Sequence, residues 1–265
     1  EHLEQALQVD TGFIVSNDRN YANFLKLMSK LGVALQPTEM SFSVTNKELN
    51  LEYNGHNVNT LFSQRRNFFR PNFYRLVFDI LKFNKMSKAL VGKDLDAPLT
   101  LGDFTRASNL SDTFKDNYLL PMVAAIWSCS LKQAEDFPIE FFLRFFHNHG
   151  LLDIKNRPQW YVVKGGSKAY IEPLTANFRQ RIELKCPVTS VERTQSSITV
   201  NHAKGSSNFD QIIFACHSDQ ALALLSDPNE DEQTVLSGLS YQENDVILHH
   251  DDSLMPERKL AWASW

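Results

Sequence analysis

The sequence lacks several features that would assign a function class at once. It has no excess of positive charge: 27 Lys and Arg stand against 31 Asp and Glu, a formal net charge of −4. Chains that bind nucleic acid broadly carry a basic footprint, so that class is set aside. Cysteine is scarce. Cys129, Cys186 and Cys216 are widely spaced, odd in number and form no C-x-x-C pair, which argues against a disulfide framework and against a thiolate metal site. No apolar run is long enough to span a bilayer and no secretory leader is visible, so a reduced, cytoplasmic setting is expected. No G-x-G-x-x-G occurs, the loop that cradles a pyrophosphate between a strand and a helix. The chain opens at Glu1 rather than methionine, and the expectation is a fragment or a processed chain.

What is present is ordinary for a globular protein with a substantial core: 265 residues, 43% hydrophobic and 22% charged. The stretch around which the rest is organised is Gln159–Ser190. It opens with a β-type run, Trp160–Val163, and breaks at Gly165-Gly166. It restarts at Ser167, a capping candidate, with Ala169, Tyr170, Ile171, Leu174 and Phe178 at helical spacing. A second β-type run follows over Ile182–Glu192. Two glycines between strand and helix let the backbone approach something closely and leave the first helical N–H groups for a cofactor or an acidic group. A purely steric turn is the plainer reading.

Upstream, Phe13–Val15 reads as a strand. Asn17 or Asp18 caps a helix to about Leu31, with Tyr21, Phe24, Leu25, Met28 and Leu31 as a core stripe and Gly32 as its stop. Met40–Thr45 and Leu51–Tyr53 alternate around Asn46-Lys47 as a hairpin. Phe73, Leu76, Val77, Ile80 and Leu81 repeat at helical spacing beside Arg65, Arg66, Arg70, Arg75 and Lys82. This is an amphipathic helix with a basic edge or, as the alternative, a peripheral membrane contact through Arg65–Arg75.

Leu99–Arg106 enters a helical region that continues through Tyr118, Leu119, Met122, Val123 and Ile126, kinked or broken at Pro121. Asp136-Phe137-Pro138 starts a further helix that Gly150 ends. This middle third is rich in phenylalanine and forms either a bulky core or the lining of an apolar pocket. Ile198–Asn201 and Gln211–Ala215 read as strands turning at Lys204-Gly205. Asp227-Pro228 opens a helix-like linker and Val246–His249 a last strand.

Three clusters invite chemistry and do not carry it. His147-Asn148-His149 diverges at a helix end without an acidic partner, which suits the helix dipole better than a metal. His249-His250-Asp251-Asp252 alternates faces on a strand. His217-Ser218-Asp219 spells a triad in three consecutive residues, which cannot form the relay. No metal site is expected.

VVKGGSKAYIEPL, then CPVTSVER, then SITVNHAKGSSNFDQIIFACHSDQALALL resemble the middle of the flavin-containing amine oxidoreductase family, which includes monoamine oxidases, protoporphyrinogen oxidases and phytoene desaturases. DTGFIV, RPQWYVVKGGS, FFLRFFHNHGLL, FACHSDQALALL and YQEN are similar, more closely still, to a bacterial subgroup of predicted NAD/FAD-binding proteins. The resemblance covers nearly the whole chain, with the motifs in order.

The resemblance implies an α+β (mixed α/β) fold: a helical-plus-sheet substrate domain joined to part of an FAD-binding domain of the GR2 type. Residues 1–15 would be a remnant of the FAD domain and 16–160 a mostly helical substrate domain with a hairpin. Residues 161–226 would be the returning FAD-domain segment and 227–265 a substrate-domain strand segment. The resemblance sets Thr11, Gly12 and Phe13 beside the flavin ring, Val188 on the adenine side of FAD, and Ala215 and Cys216 near the dinucleotide. Lys168, Tyr170 and Asp245 are substrate-side candidates. A lysine that several amine oxidases carry near the flavin falls here at Asp245, which argues against oxidation of simple amines.

The family's N-terminal G-x-G-x-x-G and its C-terminal Gly-rich FAD contact are both missing. FAD is therefore expected in the full-length parent, while this chain alone is expected to bind it poorly and to be inactive. The expected reaction is hydride transfer to flavin from an apolar, lipid-like small molecule. The subgroup's likeness to the flavoprotein part of plant cyclopropane-fatty-acid synthases points the same way. The alternatives are amine oxidation and a non-catalytic lipid- or partner-binding module.

Overall fold

The computed structural model describes residues 9–93, 97–241 and 243–265. Its packing divides the chain into two units, Glu1–Leu174 with His249–Trp265, and Thr175–Leu248. The fold is mixed α+β, as the resemblance implies. The polar lead-in over residues 1–8 and Gln242 of the YQEN motif lie outside the described residues.

In the first unit, strand β1 is Val15–Asn17, two residues later than expected, and helix α1 is Ala22–Leu31. Asn17 does not cap α1. Its Oδ1 accepts from the N–H groups of Arg19 and Asn20 and so ties the turn ahead of the helix. Gly32, with φ of 67°, stops the helix as expected. The apolar stripe of α1 is not core: only Met28 is fully buried. Tyr21 and Phe24 lie instead among the half-buried rings of Phe13, Trp160 and Tyr170.

Strand β2, Leu35–Thr38, and the later β5, Trp160–Val163, complete an antiparallel sheet of order β1-β5-β2 in which Val162 faces Val15 on one side and Gln36 on the other. Strands β3, Ser43–Asn46, and β4, Leu51–Asn54, form the expected hairpin, starting at Ser43 rather than Met40. All four residues of β4 are buried. The segment after His249 covers it: Arg258 and the Glu257 N–H bond the Glu52 carboxylate, Asn54 donates to the Trp262 carbonyl, and the Trp265 carbonyl accepts from Ser43 N–H.

After the short α2, Val58–Leu61, helix α3 runs from Pro71 to Leu90. Its inner file is Phe73, Leu76, Phe83 and Ser87, whereas Leu81 is 40% exposed. Thr100 caps α4, Leu101–Ala107, in a box with Asp103. Helix α5, Asp112–Phe114, passes through a π turn over Lys115–Leu119 into α6, Leu120–Trp127.

Pro121 explains that turn. In a regular helix the N–H of residue 121 would bond the Asn117 carbonyl, and proline has none to give. That carbonyl accepts from the Tyr53 hydroxyl at 2.6 Å. Helix α7 is Leu131–Glu135, and α8, Ile139–Asn148, starts after Pro138 and is closed by Gly150 at φ of 67°, as expected. Phe83, Phe114, Phe142 and Phe146 are wholly buried, with the rings of Phe142 and Phe146 4.0 Å apart. Most of the phenylalanine of the middle third is therefore core. Helix α9, Ile171–Thr175, ends before Phe178.

The second unit holds an antiparallel sheet of β6, Val188–Arg193, β7, Ile198–His202, and β8, Gly205–Phe209. Strand β6 starts at Val188 rather than Ile182, because a 3-10 turn at Arg179–Arg181 and Lys185 at φ of 53° keep the chain out of extended geometry. The turn at Lys204-Gly205 is as expected, but the hairpin pairs at once. Gln211–Ala215 thus runs past the sheet and forms no strand. Neither does Val246–His249, whose Val246, Ile247 and Leu248 are exposed. Helices α10, Ser218–Leu224, and α11, Glu230–Ser237, follow the sheet in sequence, with Asn229 capping α11.

Candidate functional site

Gly165 and Gly166 take φ of 86° and 85°. Gly166 has ψ of 166°, a region that only glycine enters without strain. Ser167, expected as the cap, is not one. Its backbone N–H donates to both carboxylate oxygens of Asp10, at 3.0 and 2.9 Å, and its hydroxyl donates to the Phe13 carbonyl at 2.8 Å. An acidic group thus occupies the helix start, and it belongs to the chain itself. The result is a clamp that fixes the Asp10–Phe13 strap to the glycine turn.

The clamp leaves two stretches of bare backbone. A Cβ added at Gly12 or at Gly165 would meet nothing within 4 Å, while one at Gly166 would touch the Asp10 carboxylate at 3.4 Å. Phe13, 42% exposed, packs edge-on to Phe24 at 4.9 Å, and Phe24 to Tyr170 at 5.9 Å. Rings continue inward through Tyr21, Trp160 and His149 to Phe145, where His149 and Phe145 stack at 4.1 Å. His149 Nδ1 is also 3.0 Å from the Phe145 carbonyl, which anchors it at the helix end.

Open glycine backbone beside a half-exposed aromatic edge suits a flat conjugated ring such as a flavin. A pyrophosphate finds no comparable place here, because the one helix start at this turn is already neutralised by Asp10.

The structure therefore brings Thr11, Gly12 and Phe13 together with the turn that carries Lys168 and Tyr170. Lys168 is exposed and Tyr170 half-buried. Val188, Ala215, Cys216 and Asp245 belong to the second unit. Val188 opens β6 at a register shift and is 38% exposed. Ala215 and Cys216 are exposed beyond the sheet, and Asp245 is exposed on a stretch without regular structure.

The first unit also contains a half-open cavity of about 480 Å³, lined by Leu49, Leu51, Phe69, Phe73 and Leu76 with Arg70 among them and no carboxylate. Arg70 Nη1 donates to the Asn50 carbonyl at 2.9 Å and to Asn67 Oδ1 at 3.3 Å. Arg65 donates to the Phe62 and Asn59 carbonyls, and Arg66 to that of Asn50. These arginines fasten their own loop, while Phe69 stays 88% exposed. Among the described residues no three His, Cys, Asp or Glu gather as a metal site, and no helix is long and apolar enough to cross a membrane.

Two features escaped the sequence. Asp10 was visible only as the acid of an Asp-x-Gly segment, and its partner lies 157 positions away. The Arg70 cavity depends on how the hairpin turn meets the start of α3, which no local pattern encodes.

Comparison with known proteins bears on the family and the fold. Residues 7–257 match the family described as flavin containing amine oxidoreductase. No curated protein matches the chain. Among solved structures, it is similar to a CLA-producing fatty acid isomerase from P. acnes (12% identity, TM-score 0.57) and to cyclohexylamine oxidase from Brevibacterium oxydans IH-35A (12% identity, TM-score 0.63). It is likewise similar to a putrescine oxidase variant (11% identity, TM-score 0.62). Each match covers 86% of this chain and 52% of the other, so the chain spans about half the length of these structures. At such identities the likeness is one of fold.

Proposed function

The chain belongs to the flavin-containing amine oxidoreductase family, and on that premise we propose that it forms the substrate-side part of an FAD-dependent oxidoreductase acting on an apolar, lipid-like substrate. The observation that carries this reading is the Asp10–Ser167 clamp, which holds bare backbone and an aromatic edge in one place. When bound there, the flavin supplies the redox chemistry by accepting a hydride. Thr11, Gly12 and Phe13 would lie against the ring, and Asp10 keeps that strap from moving. Phe13, Phe24 and Tyr170 would exclude water from the reacting face, and Lys168 and Tyr170 lie on the substrate side. Val188, Ala215 and Cys216 are assigned to the adenine and dinucleotide side.

Two further points support an apolar substrate. The Arg70 cavity is mostly apolar, with Arg70, Asn72 and Thr113 as its polar lining and no carboxylate, which suits a chain with an anionic end better than an ammonium group. One structural relative is a fatty acid isomerase. Amine oxidation is the second reading, supported by likeness to the cyclohexylamine and putrescine oxidases. Against it stands Asp245 at the position assigned to the family's lysine. A third reading, peripheral lipid contact, draws on exposed Phe69 between the arginines and predicts that Phe69→Ser abolishes liposome co-sedimentation.

The test is the visible spectrum of the protein expressed in its full reading frame, with and without added FAD. A flavin spectrum is expected, bleached anaerobically by long-chain fatty acids. No flavin after reconstitution overturns the cofactor assignment, and peroxide release from amines in place of bleaching overturns the substrate class.

A further inference from the structure

Cys186 and His202 form a pair that the proposed redox function does not use. Cys186 Sγ lies 3.2 Å from His202 Nδ1. The same Nδ1 accepts the Lys204 backbone N–H at 3.2 Å, so it carries a lone pair rather than a proton. The proton is then on Nε2, which donates to Ser207 Oγ at 3.1 Å. His202, Lys204 and Ser207 sit at or beside the β7–β8 turn. The register Val188↔His202 and the bond from Ala203 N–H to the Pro187 carbonyl bring Cys186 against it.

Nδ1 has one in-plane lone pair, which the Lys204 N–H and the Cys186 thiol share, and an unprotonated imidazole nitrogen within reach of a thiol is the arrangement that activates a cysteine nucleophile: a base oriented by a third group. We propose that Cys186 is a reactive thiol, activated by His202, that exchanges with low-molecular-weight disulfides. His202 Nδ1 takes the thiol proton, and Sγ attacks one sulfur of the disulfide. The S–S bond of the reagent breaks, a new S–S bond forms to Cys186, and the departing thiolate takes up the proton. The Lys204 ammonium stands nearby. Its ordinary value is raised first by its bond to Glu183 and, in smaller part, by Cys186.

The other two thiols serve as internal controls. Cys216 is more exposed than half-buried Cys186, and burial pushes the Cys129 thiol up. If access alone ruled, Cys216 would react first. The experiment is a time course of iodoacetamide alkylation of the intact chain, with each cysteine followed by peptide mass spectrometry, repeated with oxidised glutathione.

Alkylation of Cys186 at least tenfold faster than Cys216, and a single glutathionyl group at Cys186 released by reductant, are expected. His202→Gln should bring Cys186 down to or below the rate of Cys216 and leave Cys216 unchanged. Cys216 reacting as fast as Cys186 overturns the proposal, and that comparison needs no variant. An unaltered Cys186 rate in a folded His202→Gln protein overturns it as well. Neither readout depends on flavin.

Discussion

In the first unit Phe83, Phe114, Phe142 and Phe146 are completely removed from water, whereas the buried hydrophobic side chains described in the second unit are Val191, Val200 and Ala221. Full burial of a phenylalanine contributes about 1.5–3 kcal/mol, so four of them already exceed what three smaller side chains supply. The second unit is laced instead by polar ties. Arg193 reaches Glu232 at 2.6 and 2.9 Å and Asp227 at 3.2 Å, and Asn201 reaches Ser190 and Glu192 at 2.9 Å. Such partly exposed ties contribute less each than a buried ring does. The clamp site thus stands on the unit with the dry core, and the adenine-side candidates stand on the softer one.

The largest effect that sharpens this contrast is expected from Phe142→Ala. Truncating a fully buried ring costs about 3–5 kcal/mol, read as a lower denaturant midpoint of tryptophan fluorescence. All four tryptophans, Trp127, Trp160, Trp262 and Trp265, lie in the first unit, so the signal is specific to it. Val200→Ala should cost about 2 kcal/mol in amide protection of the second unit and leave the fluorescence midpoint in place. Equal costs at the two positions would break the comparison.

Next comes Tyr53→Phe. It removes the hydroxyl that bonds the buried Asn117 carbonyl, whose regular helical donor Pro121 cannot supply, at a cost of about 1–3 kcal/mol. The same midpoint measures it, and a shift no larger than for an exposed Tyr74→Phe control would remove the account of the π turn. Gly166→Ala tests the clamp. Its φ of 85° and ψ of 166° are closed to alanine for about 1–3 kcal/mol, and the added methyl meets the Asp10 carboxylate. Faster proteolysis in the Asp10–Phe13 strap is the expected sign.

How much of this was legible follows from how local each cause is. Helix α8, the β3–β4 hairpin, β5 and the Gly32 and Gly150 stops could be read directly, because a period or a backbone conformation fixes them within a few residues. The glycine turn was legible as a turn. Its partner was not, since Asp10 reaches Ser167 across the chain. Gln211–Ala215 reads as a strand from its short apolar run, but the hairpin that turns at Lys204-Gly205 pairs at once and the run stays outside the sheet. The α1 stripe has core periodicity and fails to be core because Tyr21 and Phe24 meet a rim of aromatic rings. The π turn illustrates the same limit. Pro121 announces a lost donor, and only the fold shows that Tyr53 replaces it.

The smallest effect concerns the polar lacing itself. The bond from Arg193, followed by the Asn229 backbone N–H, lowers the Glu232 carboxyl from 4.5 to about 2. A carboxylate held lower in the folded state stabilises it in full above its ordinary value and loses that contribution as pH falls toward the folded value. Amide protection factors across β6 and β7 should therefore hold from neutrality to about pH 4.5 and decline between there and about 2. In Glu232→Gln the bond to Arg193 loses its charge, protection is lower at neutrality, and that part of the decline disappears. Tryptophan fluorescence of the first unit should follow the same acid profile in both proteins. An identical step in the variant would mean that the apolar contacts of Val191 and Val200 hold the second unit, and the two units would then differ in the amount of burial rather than in kind.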